Sequence, residues 1–212
     1  MLNGKTHWGS SKHPLAVKMC LVGDMCVGKT SLAHVFLQQP FQEYYRGTIG
    51  AVVMARTLDD PYVTCQVWDT AGMERYRALL PHYMRKAVCA ILVYDISSYE
   101  SFVSIRDYWA DFVDCCGEEG LVKVLVGNKM DMDKLRAVRS EMAAEWAETR
   151  GMVFMETSAK FGINVDAMFT LAARKAEAVP RPPTSPETEG FSLDKPTPAP
   201  KSSRCCVSRA KK

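Results

Sequence analysis

The sequence predicts an α/β fold built on a mostly parallel sheet with helices on both faces. Three observations point there. Strand-like and helix-like segments alternate along the 212 residues, the order that builds parallel sheets. Residues 88–96 (VCAILVYDI) form a near-continuous apolar run, as a strand buried on both faces requires. Asp59-Asp60-Pro61 joins two strand-like segments by a tight turn, so one strand runs antiparallel to the rest.

The elements follow in order. Residues 15–22 read as a strand that ends in a glycine-bearing loop, Gly23 to Lys29. A helix follows to about Gln39 and stops before Pro40. Residues 48–58 and 62–69 are the two strands of the hairpin. After the strand at 88–96, Ser97 is the expected N-cap, with Glu100 completing a capping box. The helix it opens aligns Phe102, Ile105, Trp109 and Phe112. Residues 122–126 form the next strand, and 140–150 a helix closed by Gly151 as a left-handed cap. A short strand at 152–155 precedes a last helix that aligns Val165, Met168, Phe169, Ala172 and Ala176. The expected organisation is an extension over 1–14, a domain over 15–179 and a tail over 180–212. Seven of the eleven prolines lie in that tail and no apolar periodicity remains there, so it is expected to be a disordered linker.

Composition narrows the classes. Hydrophobic residues make up 47% and charged residues 24%, which excludes collagen, coiled coil and wholesale disorder. No apolar run reaches transmembrane length, and residues 1–14 lack the apolar core of a signal peptide. The tail carries seven Lys/Arg against three Asp/Glu, so the net charge of +3 sits there and the body is close to neutral. A neutral body argues against nucleic-acid binding. The tail is either a solvated linker or a segment drawn to anionic lipid. None of the eight cysteines forms a C-x-x-C pair, which disfavours zinc. Cys20, Cys65 and Cys89 stand in strand-like runs as small buried hydrophobes, and reduced thiols of the cytosol are expected.

Gly23-Asp24-Met25-Cys26-Val27-Gly28-Lys29-Thr30 fits G-x-x-x-x-G-K-S/T between a strand and a helix, with Ser31 next. Glycines let backbone N–H groups curl around phosphate oxygens, and the helix terminus adds partial positive charge. Lys29 would reach the β- and γ-phosphates, and the Thr30 hydroxyl would ligate Mg²⁺. This loop indicates a nucleotide phosphate without naming the base. Asn128-Lys129-Met130-Asp131 follows a buried strand and a glycine. A carboxylate at 131 can accept from N1–H and the exocyclic amine of guanine, a pair adenine cannot donate. Ser158-Ala159-Lys160 follows the last short strand.

With these motifs in order, residues 15–179 resemble the small GTPases of the Ras superfamily. Within it, Trp68-Asp69-Thr70-Ala71-Gly72, Glu74-Arg75-Tyr76-Arg77, residues 83–87, residues 92–97 and the pair Cys205-Cys206 resemble Rab proteins. The resemblance implies a P-loop NTPase fold, a small G-domain with a six-stranded sheet. It implies GTP/GDP and Mg²⁺ as ligands, and GTP hydrolysis as the activity. It places Lys29, Thr48, Gly72 and position 73 at the catalytic centre. Phe41 would stack on guanine, Tyr45 would close over the phosphates, and Thr48 would bind Mg²⁺ and sense the γ-phosphate. Asp69 would hold Mg²⁺ through water, and the Gly72 N–H would meet the γ-phosphate. Trp68 is either part of the surface that effectors read or purely structural. The implied partners are an exchange factor, a GTPase-activating protein, an escort or dissociation inhibitor, and effectors at the two switches. The implied setting is a monomer held by its lipidated tail on the cytosolic face of an endomembrane.

Four departures qualify the resemblance. Met73 stands where most of the family has glutamine. A thioether cannot donate to the attacking water, so either intrinsic hydrolysis is slow or another group places the water. Met25 and Cys26 replace small residues, and Cys26 is either an oxidant-reactive thiol or a small residue that simply fits. Residues 51–53 (Ala-Val-Val) lack the acid and the aromatic usual after Ile-Gly, so effector identity does not carry over. Six residues trail Cys205-Cys206, which leaves dual lipidation and an unmodified basic tail both open.

Overall fold

The computed structural model describes residues 14–43, 47–72 and 79–179. Tyr45, Met73, Cys205 and Cys206 lie outside them, as do residues 1–13 and 180–212.

The elements run β1 (Leu15–Val22), α1 (Lys29–Phe36), β2 (Ala51–Leu58), β3 (Val63–Thr70), α2 (Leu80–Met84) and β4 (Cys89–Asp95). Next, α3 (Tyr99–Ser104) passes through a π-helical turn, Ile105–Trp109, into α4 (Ala110–Cys116). Then come β5 (Val122–Asn128), a 3₁₀ turn (Met130–Leu135), α5 (Ser140–Thr149), β6 (Val153–Glu156) and α6 (Val165–Glu177). The six strands lie in the order β2-β3-β1-β4-β5-β6. Only β2 is antiparallel, paired with β3 so that Ala51 meets Thr70 and Leu58 meets Val63.

Strand alternation divides the core. On β1, Val17, Met19 and Leu21 face one side with α1 and α6. Cys20 and Val22 face the other, with α2 to α5. Phe36 stacks on Phe169 with centroids 4.0 Å apart. On the opposite face Tyr94 meets Phe102 edge-on at 5.1 Å. Every residue of β4 is buried, as its unbroken apolar run anticipates. Burial pushes the Cys20 thiol up to about 12 and Cys65 up to about 11, and raises Cys89 as well. Among the described residues no helix is long and apolar enough to cross a membrane.

Several boundaries differ from expectation for local reasons. The first helix ends at Phe36, not near Gln39, because Gln38 turns left-handed at φ 60°. Thr48 is not in a strand: Gly50 takes φ 72°, its carbonyl accepts from Ala71 N–H, and β2 starts after it. The cap of α3 is Ser98, not Ser97. Ser98 Oγ accepts from Ser101 N–H at 3.2 Å, while the Ser97 N–H and hydroxyl both donate to Asp95 Oδ1. The next strand runs on to Asn128, and so delivers that side chain to the sheet's carboxyl edge. Gly151 is left-handed as expected, at φ 62°.

The Tyr94 hydroxyl is buried without a hydrogen-bond partner among the described residues. Leaving such a group unpaired costs about 1–3 kcal/mol. Tyr94→Phe is therefore expected to match or exceed wild-type stability in urea denaturation, by up to about 1 kcal/mol. A clear loss would show that the hydroxyl has a partner.

Candidate functional site

The site lies at the carboxyl edge of the parallel strands, where open α/β sheets present their ligand crevices. β1 leads into the phosphate loop, β3 ends near Asp69, β4 ends at Asp95 and β5 ends at Asn128. A cavity of about 410 Å³ opens there.

The phosphate loop needs its glycines. Gly23 takes φ 139° and Gly28 φ 96°. A Cβ at Gly23 would lie 2.2 Å from the Val93 carbonyl oxygen, and one at Gly28 would lie 2.2 Å from Asn128 Nδ2. Cys26 takes φ 64°, a conformation side chains disfavour. Lys29 is 5% exposed. Its ammonium donates to the carbonyls of Gly23 at 2.9 Å and Asp24 at 2.6 Å. Burial lowers its pKa to about 8, against the opposing pull of the Asp69 and Asp24 carboxylates.

Thr30, Thr48 and Asp69 converge although they come from three segments. Thr30 Oγ1 donates to Asp69 Oδ2 at 2.6 Å. Thr48 Oγ1 lies 3.0 Å from Thr30 Oγ1 and 3.2 Å from Asp69 Oδ2. Burial raises the Asp69 pKa, opposed by the Thr30 bond, the Lys29 charge and the Thr48 bond. Asp69 Oδ1 is buried with no partner among the described residues. Hard hydroxyl and carboxylate oxygens, one of them unsatisfied, suit Mg²⁺. Thr30, Thr48 and Asp69 could thus hold that ion.

The other end of the cavity is shaped by Asn128, Lys129, Asp131, Ala159 and Lys160. Asp131 Oδ1 accepts from the Ser158 hydroxyl at 2.6 Å. Its other oxygen could take an amide-like edge of a base. Lys129 adopts φ 66°, and its ammonium pairs with Asp95 Oδ2 at 2.6 Å. Phe41 lines the cavity at 37% exposure and could cover a flat ring.

Most of the sequence-predicted residues meet here, but not all in the same way. Met25, Cys26, Gly28, Lys29, Thr30, Ser31, Phe41, Thr48, Gly72, Asn128, Lys129, Asp131, Ala159 and Lys160 line the cavity. Gly23, Val27 and Ser158 sit behind that wall as supports, all buried. Asp24 departs most: its carboxylate turns away and accepts from Ser104 Oγ and Trp109 Nε1, each at 2.8 Å. Tyr45 and Met73 fall outside the described residues. Gln42, Glu43, Gly47, Thr70 and Met132 also line the cavity. Sequence reasoning missed them because no spacing rule marks them. Beside the site, Ile49 and Val53 are 79% and 51% exposed, and Val53 pairs across the ladder with Trp68. The Trp68 ring is half-buried under Lys18 Nζ, 3.8 Å from its centroid.

Lys29 gives the site a pH signature. Phosphate oxygens arriving beside it would raise its pKa again from about 8. Above that pH the empty site has lost proton occupancy, which binding restores. Guanosine diphosphate binding is expected to take up a fraction of a proton at about pH 8.5 and almost none near pH 7. Calorimetric titration in buffers of different ionisation enthalpy reads this directly. In the free protein, unfolding returns Lys29 toward its ordinary 10.5. The unfolded chain then binds more protons, so this group adds stability as pH rises from about 8 to 10.5.

Comparison with known proteins gives a consistent result. The family model described as Ras family matches residues 18–178. The chain is 39% identical over 201 residues to the Ras-related protein RHN1 of Nicotiana plumbaginifolia, covering 93% of this chain and 98% of the relative. It is 39% identical to the Ras-related protein Rab5 of Nicotiana tabacum, covering 91% and 96%. Against the Ras-related protein Rab-5A of Dictyostelium discoideum it is 42% identical, covering 79% and 83%.

Proposed function

We propose, for a chain that belongs to the Ras family of small GTPases and to its Rab branch, the role of a GTP/GDP switch in vesicle traffic with slow intrinsic hydrolysis. The observation that carries this reading is the cavity itself. It joins a phosphate loop at one end to Asn128, Asp131 and Ala159 at the other, a span suited to a guanine nucleotide.

In this reading the backbone N–H groups of the loop and the Lys29 ammonium hold the phosphates. Mg²⁺ at Thr30, Thr48 and Asp69 would offset phosphate charge during hydrolysis. Thr48 and Gly72 stand on the two segments that would order around the γ-phosphate and relax once it leaves as inorganic phosphate. Gly72 is packed against the loop so closely that a Cβ would lie 2.5 Å from the Asp24–Met25 peptide. Trp68, Val53 and Ile49 would supply an apolar face for effectors. An exchange factor, an activating protein and an escort protein belong to the same reading, as does a tail lipidated at Cys205 and Cys206. Two lipid chains give stable anchoring where one does not.

Hydrolysis is the step where this chain parts from its family. The Met73 thioether cannot donate to a water and accepts weakly. A second reading, a scaffold held in the GTP state, draws support from Met25. That side chain is 54% exposed on the cavity wall, where it would obstruct a residue reaching in from an activating protein.

Single-turnover hydrolysis of bound GTP with Mg²⁺ separates these readings. Met73→Gln is expected to hydrolyse at least roughly tenfold faster than wild type, a barrier change of about 1.4 kcal/mol. Equal and ordinary rates would remove Met73 from the account. Equal and negligible rates would favour the scaffold. Preference for ATP over GTP in a competition assay would overturn the switch reading altogether.

A further inference from the structure

The Asp24 carboxylate lies in the phosphate loop yet bonds to a helix about eighty residues further on. Asp24 Oδ1 accepts from both Ser104 Oγ and Trp109 Nε1 at 2.8 Å. The two donors stand five residues apart. In an ordinary α-helix they would be turned about 140° from each other. The π-helical turn Ile105–Trp109, with its i→i+5 pattern, brings both onto one side. Such turns are uncommon, and this one coincides with the bond to the loop. Trp109 is fully buried, so its indole N–H loses water on folding, and Asp24 supplies the acceptor.

The same residue acts on the phosphate side through its backbone. Its carbonyl accepts from Lys29 Nζ at 2.6 Å. A Cβ at Gly72 would lie 2.5 Å from its carbonyl carbon. The loop's second residue thus meets the helix, the phosphate-seeking lysine and the glycine of the second switch at once.

The geometry points to Asp24 as a positioning residue: its bonds to Ser104 and Trp109 pin the phosphate loop to the π-turn and so set how long bound nucleotide is retained. This inference rests on the reading of the loop as the phosphate site of a guanine nucleotide.

Dissociation of a fluorescent N-methylanthraniloyl GDP from the full chain, with Mg²⁺, tests it. Asp24→Ala and Trp109→Phe are each expected to speed release roughly tenfold, the scale of a lost charge-assisted hydrogen bond. The double variant should release no faster than Asp24→Ala alone, since that change already removes the bond that Trp109→Phe breaks. Asp24→Asn keeps an accepting oxygen without the charge and should recover part of the loss. Trp109→Phe preserves an aromatic core residue and covers the case in which Asp24→Ala does not fold. Unchanged release in these variants overturns the inference, as does an additive double variant. Slower release in Asp24→Ala and Asp24→Asn also overturns it, because the carboxylate would then act by repelling phosphate. Wild-type protein that fails to load guanine nucleotide would overturn the switch reading, and the role of Asp24 with it.

Discussion

The carboxamide of Asn128 bonds in three directions inside the protein. Nδ2 donates to the Val27 carbonyl at 2.9 Å. Oδ1 accepts from the Thr157 hydroxyl and the Ala159 N–H, both at 3.2 Å. Asn128 is 1% exposed, so each bond forms where water cannot replace it. These bonds join the loop after β1, the end of β5 and the turn after β6. The two ends of the cavity therefore share one buried anchor. Gly28 is bound to this arrangement, since a side chain there would strike the amide. Removing the amide would strand two backbone groups and the Thr157 hydroxyl at once, a loss larger than any single bond.

Around that anchor the loops carry unfavourable backbone at the places where they bend. Cys26 and Lys129 both have positive φ, at 64° and 66°. Such residues cost of order 1–3 kcal/mol each and persist where their surroundings hold them. Lys129 is held by its pair with Asp95. Cys26 is bracketed by buried Val27 and by the loop carbonyls that Lys29 engages. The sheet beneath is packed on both faces and supplies the rigid base for these bends.

Much of this is legible in the sequence. The alternation of elements, the antiparallel strand and the phosphate loop follow from local pattern, because period, turn chemistry and glycine spacing are local quantities. Asn128, Asp131 and Ala159 could be placed because their motifs stand directly after strands. What escaped was contact over long sequence separation. The helical pattern put Trp109 on an apolar face and said nothing of its N–H, whose acceptor lies 85 residues away. The S-x-x-E spacing to Glu100 points to Ser97 as the cap, one residue before the observed Ser98. Asp95 decides between them by claiming Ser97. The cavity residues Gln42, Thr70 and Met132 carry no signature because only the fold brings them to the wall.

The three thiols of the sheet have a consequence for following this protein in solution. Cys20, Cys65 and Cys89 have no solvent exposure. Their pKa values are all raised by burial, so they are poor nucleophiles in two senses: inaccessible and protonated. Cys26 and Cys115 are exposed. An alkylating reagent would therefore mark these five thiols in two phases. The fast phase reads the native surface, with Cys26 reporting whether the cavity is filled. The slow phase begins only when β1, β3 and β4 part, so its rate is a clock for opening of the sheet itself.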